Sequence, residues 1–284
     1  MKSSSFETRT VFCPARKLAP VLAIFLGVLA APAQDKVIIR GSNTIGEELA
    51  PQLIAKYQKA HANVTFDLEF KGTAYGIGSL MGGFCDIAGA SKPVTKEQLE
   101  IAQIRGVQFH DYILGSYAVA VVVNAANPVS DLTPKQVHGL FTGKIENWKS
   151  VGGPDAPVHL CIRDPVSGTY IGFKELAMDS QDYGTNVQLF TNYTGIAEAV
   201  AGDPDGIGYT GIGPPPLAGT KPVSIGGVAP GVASVNEHKY PYARTLYFYT
   251  DADKESPPAR DFIDFVLSPR GQAVLIQMGD VPKP

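Results

Sequence analysis

Three times between residues 36 and 104 a short apolar run ends in a cluster of small residues and passes into a segment with helical spacing. The run from Lys36 to Arg40 stops at Gly41-Ser42-Asn43-Thr44, after which Leu49, Leu53, Ile54 and Tyr57 recur on one face of a 3.6-residue repeat. Val64 to Phe70 alternates apolar and polar residues, is broken by Gly72-Thr73, and leads to Ile77 and Leu80. Ile87 to Ala90 is ended by Ser91-Lys92-Pro93; Thr95, with Gln98 three residues on, then forms a capping-box pattern for a helix from Lys96. Repeated β-loop-α units of this kind predict an α/β chain with parallel strands.

The remainder keeps the same alternation. Tyr117 to Asn124 is a Val-rich strand, Thr133 to Phe141 a short helix, and Val158 to Ile162 a strand that runs into Arg163-Asp164-Pro165-Val166-Ser167-Gly168-Thr169. A helical stretch from Tyr170 to Ala177 follows, then helical Ile196 to Val200 and a turn at Gly206-Ile207-Gly208-Tyr209 into a strand. Gly and Pro dominate Leu217 to Pro230, Leu246 to Tyr249 is a strand, and Pro258 to Met278 is helical. The pattern suggests two lobes, with crossovers at the strands near Val119 and Tyr247. Residues 34–117 and 244–284 are expected to form the first lobe and 118–243 the second, with a ligand cleft between them facing the carboxyl ends of the strands.

The chain starts as an export signal does. Lys2, Arg9, Arg16 and Lys17 precede an apolar run from Val21 to Ala31 that is too short for a bilayer, and Ala31-Pro32-Ala33 offers a cleavage site. Residues 1–33 are therefore expected to be a cleaved signal peptide, which places the mature protein in the periplasm. Of 24 basic and 27 acidic residues, four basic and one acidic lie in that segment, so the mature net charge is near −6. A mildly acidic protein is a poor partner for nucleic acid, and one that binds an anion must use local donors. Cys85 and Cys161 remain in the mature chain, as a pair or as two buried thiols.

Four loops have donor chemistry: Gly41-Ser42-Asn43-Thr44, Gly72-Thr73-Ala74, Gly89-Ala90-Ser91-Lys92 and Ser167-Gly168-Thr169. Each is small and hydroxyl-bearing, and each is expected to open a helix. A helix start presents unpaired N–H groups and partial positive charge, so several converging on one cleft bind an anion with little formal charge. One such loop alone is an ordinary cap; their recurrence is what signals a site. Arg163, four residues before Ser167, adds a guanidinium able to grip an oxyanion through two parallel bonds, and Asp164 is placed to orient it.

Catalytic patterns are missing from the sequence. His61, His110, His138, His159 and His238 form no metal-ligand pair or H-E-x-x-H run, no G-x-S-x-G elbow occurs, and Gly72 to Ser79 lacks the ending of a phosphate loop. The expectation is a binding protein with no enzyme activity, no cofactor and no metal.

Spread over the mature length, Gly41-Ser42-Asn43-Thr44, Asp86 through Ser91, Leu140-Phe141-Thr142-Gly143-Lys144-Ile145-Glu146-Asn147-Trp148, Arg163 through Thr169, Gly195-Ile196, Gly206 through Tyr209, and Tyr240-Pro241 before Arg244-Thr245-Leu246-Tyr247 occur in a characteristic order. In these the chain resembles the phosphate-binding subunits of bacterial phosphate-uptake ABC transporters. The resemblance implies a type II periplasmic-binding fold, each lobe a mixed sheet flanked by helices, closing on a dehydrated phosphate. It implies contacts from Thr44 and the backbone after it, Thr73 and Ser91 on lobe one, where the donor loops add Ser42, Asn43 and Lys92 as candidates, and from Arg163, Ser167, Gly168 and Thr169 on lobe two. It also implies an inner-membrane permease as partner and a monomer as the working form. Thr73 stands where the best-known members have Ser. Lys92 stands where they have an Asp that accepts the proton of bound phosphate and so excludes sulfate. Lys92 either adds a charge-assisted bond or points into solvent, which leaves sulfate, arsenate, tungstate or molybdate, or a sensing or scaffold role, as alternatives.

Overall fold

The computed structural model describes residues 35–212 and 216–284; the expected signal peptide lies outside the described residues. The first segment alternates β1 (Asp35–Gly41), a π-helical turn (Ile45–Leu49) running into α1 (Ala50–Tyr57), β2 (Val64–Phe70), α2 (Thr73–Met81), β3 (Ile87–Ala90) and α3 (Lys96–Ile104). A long strand, β4 (Phe109–Asn124), follows. The middle segment holds β5 (Asp131–Leu132), α4 (Pro134–Phe141), a 3-10 turn (Trp148–Val151), β6 (His159–Arg163), α5 (Gly168–Ala177), β7 (Val187–Phe190), α6 (Tyr193–Gly202), β8 (Gly206–Gly211), the short β9 (Thr220–Pro222) and β10 (Ser224–Ile225), and α7 (Val232–Asn236). The chain closes with β11 (Ala243–Asp251), α8 (Pro257–Leu267), α9 (Pro269–Met278) and β12 (Val281–Pro282).

The strands run in the order β2-β1-β3-β11-β4-β8-β6-β7. β1 pairs parallel with β2 and β3, as a crossover helix after each strand requires. β11 lies antiparallel between β3 and β4. β4 changes partner along its length: Phe109 to Ala118 pair with β11, and Val119 to Val123 with β8. Beyond β8 the sheet is parallel again through β6 and β7. The strand expected from Tyr117 begins at Phe109, because its first half is an extra sheet element paired residue by residue with β11.

The capping box expected at Thr95 is formed, and α4 has a second, not singled out from the sequence. Thr95 and Gln98 exchange side-chain-to-backbone bonds at the start of α3, and Thr133 and Gln136 do the same for α4. The apolar faces of α1, α8 and α9 and of β1 and β4 share one core; a smaller cluster of Ile77, Leu80, Ala88, Ala90 and Tyr249 seats α2 on β3 and β11. Asn124, at the end of β4, donates to the carbonyls of Val200 and Ala201 at 2.9 Å each; Val200 O also accepts from Asp203 N–H at 3.4 Å, so the end of α6 is tied to β4 as well as capped by its own chain.

Candidate functional site

The first three donor loops meet because three glycines let the backbones touch. Gly41 ends β1 at φ +146°, and a Cβ there would lie 2.0 Å from the Gly89 carbonyl oxygen. That closeness allows Ser42 N–H to donate to Gly89 O at 2.9 Å. Gly72, at φ +103°, donates to Gly41 O at 2.8 Å, and a Cβ on Gly76 would lie 2.6 Å from Gly41 Cα. The start of α2 is thus pressed against the ends of β1 and β3. Thr73 Oγ1 accepts from Ser91 N–H at 3.1 Å and lies 3.5 Å from Ser91 Oγ.

Around this junction is a cavity of about 530 Å³ whose lining includes Ser42, Asn43, Thr44, Thr73, Ser91 and Lys92, that is, every residue expected from the first lobe. Lys71, Glu175, Ser180 and Arg244 line it as well. A larger cavity of about 790 Å³ opens beside α4 among Thr133, Lys135, His138, Ile145, Leu176 and Tyr242; none of the donor loops reaches it.

Two local expectations are corrected. The Gly89-Ala90-Ser91-Lys92 loop does not open a helix: α3 starts at Lys96 behind Thr95, since Pro93 disfavours helical backbone at the residue before it. Asp164 does not orient Arg163. Its Oδ1 accepts from Val166 N–H at 3.2 Å, shaping the loop, while Arg163 Nη2 donates to Glu48 Oε1 at 2.7 Å.

Arg163, Ser167, Gly168 and Thr169 come together with one another but do not line the 530 Å³ cavity. Arg163 is the last residue of β6 and its side chain is 9% exposed. Its N–H donates to Tyr209 Oη at 3.2 Å, and its guanidinium lies 5.5 Å from the centroid of Tyr193. Nε is buried without a partner. Ser167 caps α5 by accepting from Thr169 N–H at 3.1 Å. The hydroxyls of Thr169 and Tyr193 are 3.0 Å apart, and Tyr117 Oη donates to Thr169 O at 3.3 Å. Thr44 belongs to both regions. Besides the main cavity it lines a void of about 20 Å³ shared with Glu48, Gly168, Thr169, Tyr193 and Asp280.

Sequence patterns missed the acidic groups. Glu47 Oε2 is buried without a partner and would lie 3.1 Å from a Cβ on Gly168. Burial first, then the charges of Glu48 and Glu175, push the Glu47 carboxyl above its ordinary range. Burial and the Glu48 charge do the same to Asp280, more strongly. Arg244 stands out in the sequence only within the run Arg244-Thr245-Leu246-Tyr247. It donates to Glu175 at 2.6 Å and to Gly172 O at 2.7 Å, tying β11 to α5. Cys85 and Cys161 are free thiols, pushed up to about 12 and about 11 by burial. Among the described residues no group of His, Cys, Asp and Glu is disposed to hold a metal ion, and no helix is long and apolar enough to cross a membrane.

A chain whose parallel-stranded halves are joined through one long strand, with glycine-hydroxyl loops converging on a cleft, has the two-lobed type II periplasmic-binding fold. A family model described as a PBP superfamily domain matches residues 28–270, and the chain belongs to that superfamily. Among curated proteins it is similar to the phosphate-binding protein PstS of Borreliella burgdorferi, 27% identical over 256 residues that cover 86% of this chain and 89% of the relative. Among solved structures it is similar to an ABC-type phosphate transport receptor from Vibrio cholerae, with TM-score 0.66 and 25% identity over 87% of this chain and 100% of that one. A possible phosphate binding protein from Planctomyces limnophilus has TM-score 0.81 at 22% identity, covering 88% of this chain and 94% of that one, and shares the fold.

Proposed function

We propose that this protein captures inorganic phosphate outside the cytoplasm and delivers it to an ABC transporter, without turnover. The observation that carries the reading is the junction of Gly41-Ser42-Asn43-Thr44, Gly72-Thr73 and Ser91-Lys92 on one cavity, held by the Ser91-to-Thr73 and Ser42-to-Gly89 bonds. Hydroxyls and backbone N–H groups gathered there suit a tetrahedral oxyanion. The names of the relatives, phosphate-binding protein and phosphate transport receptor, support the same ligand and the same transporter role.

In this reading residues 34–117 and 244–284 form one lobe and 118–243 the other, in keeping with the change of partner along β4 near Ala118. Ser42, Asn43, Thr44, Thr73, Ser91 and Lys92 hold the anion from the first lobe, and Arg163, Ser167, Gly168 and Thr169 from the second. An anion bridging both lobes favours their closed arrangement, and the closed form is what a permease in the inner membrane would recognise. The protein works as a monomer, exported by residues 1–33.

Calorimetric titration of anion-stripped protein with phosphate, repeated in excess sulfate, tests the reading. Tight one-to-one binding of phosphate that sulfate does not disturb is expected. Binding of sulfate alone, or of neither anion, refutes it.

A further inference from the structure

The second-lobe half of the proposed site is already occupied by carboxylates. Arg163 and the start of α5 are the two features there that attract an anion. Glu48 Oε1 sits 2.7 Å from Arg163 Nη2, and Glu47 Oε2 faces Gly168, the first residue of α5. Both glutamates lie on the turn Ile45–Leu49, directly after Thr44. The segment expected to hold the anion from lobe one therefore presents its own anions to lobe two.

The occupancy is incomplete. A guanidinium has five N–H donors in a planar fork, yet Nε of Arg163 is buried without a partner, and so is Oε2 of Glu47. Buried polar atoms are normally paired. Glu48 takes Nη2 and leaves Nε, a donor that a ligand with several oxygens engages once the pair parts. A tetrahedral oxyanion brings such oxygens and can bond Nη and Nε together with the Gly168 N–H, the one N–H of the first turn of α5 that Ser167 does not engage.

We infer that Glu48, with Glu47 beside it, is an internal ligand of the anion site, so that an incoming oxyanion binds by exchange against a carboxylate. The inference rests on the reading of Arg163 as an anion ligand. Its consequence is thermodynamic. Whatever stabilises the Arg163–Glu48 pair is subtracted from the affinity for phosphate, because the pair must open first. Simple carboxylates such as acetate, which offer Arg163 no more than Glu48 does, are kept out by the same competition. Glu48 thus sets both the affinity and the minimum chemistry of the ligand.

The test is calorimetric titration of anion-stripped protein with inorganic phosphate, in the parent and in Glu48→Ala, Glu48→Gln, Arg163→Ala and the Glu48→Ala/Arg163→Ala double variant. Charge-assisted bonds are strong enough that removing the competitor should tighten binding about tenfold or more. Excess acetate should take the vacated place in Glu48→Ala and reverse that gain, while leaving the parent unchanged. The gain should vanish in the double variant. If Arg163→Ala loses phosphate but neither Glu48 variant binds more tightly, the inference is overturned and the phosphate-binding reading stands. If Arg163→Ala binds as the parent does, the site assignment falls and the inference with it. If neither the parent nor the Glu48 variants bind phosphate, both are overturned. Circular dichroism checks folding, and Glu48→Gln, which preserves size, decides the matter if Glu48→Ala does not fold.

Discussion

Thr73 Oγ1 accepts a hydrogen bond from the backbone N–H of Ser91 at 3.1 Å, and through it the first turn of α2 holds the end of β3. The two residues belong to different loops, so the bond fixes the spacing of two donor groups on one cavity. Thr73→Val keeps the shape and removes the acceptor. It should cost about 1 kcal/mol of stability, the lower end for a partly buried amide left unpaired, and weaken phosphate binding about tenfold. Thr73→Ser should restore both. Thermal melting and titration read the two effects separately.

Gly41 and Gly72 both have left-handed backbones, but they differ in surroundings. A Cβ at Gly41 meets the Gly89 carbonyl at 2.0 Å, whereas one at Gly72 meets nothing within 4 Å. Gly41→Ala should therefore cost on the order of 3 kcal/mol, backbone strain plus the clash, and spread the loops of the site. Gly72→Ala should cost only about 1 kcal/mol, from strain alone. Equal losses in urea unfolding would mean that the contact of β1 with β3 yields easily.

Lys92 lines the cavity and is exposed. Water and salt screen a charge in that position. Lys92→Ala should weaken phosphate binding by less than about tenfold, and the difference should shrink as ionic strength rises. A larger loss that salt does not diminish would mean that Lys92 bonds the anion inside the desolvated cavity and not from its exposed rim.

What could be read from sequence was local. The capping box at Thr95 occupies four residues, and the Arg163-to-Thr169 loop is a single strand-to-helix connection, so residue types and spacing sufficed. The convergence of the loops at Gly41, Gly72 and Gly89 was also legible, as repeated loops of one character; the same repetition put Ser167-Gly168-Thr169 with them, and that loop does not line their cavity. The Arg163–Glu48 pair was not, because its partners are 115 positions apart and Asp164 lay nearer in sequence. The link from Arg244 to Glu175 spans 69 positions and was hidden in the same way. Glu47 and Glu48 carry no signal in the sequence; only packing against α5 and the end of β6 gives them a role.

Asp280 gives a pH dependence with a definite sign. It is buried, and burial together with the Glu48 charge raises its folded pKa well above the ordinary 3.8. As pH rises past 3.8 the unfolded chain releases this proton first, while the folded chain still holds it. The folded state then binds more protons than the unfolded, so stability falls with rising pH from that point up to the folded pKa. Glu47 acts in the same direction from its ordinary 4.5 upward. Asp280→Asn cannot ionise and should escape the loss. It should match the parent in urea unfolding near pH 3, within about 0.5 kcal/mol, and exceed it near pH 7. A constant difference between the two proteins across that range would show that the carboxyl titrates as it does in the unfolded chain. A widening one would mean that a destabilising acid is retained next to Thr44 and Thr169, proposed to hold the anion, and Glu48, proposed to give way to it.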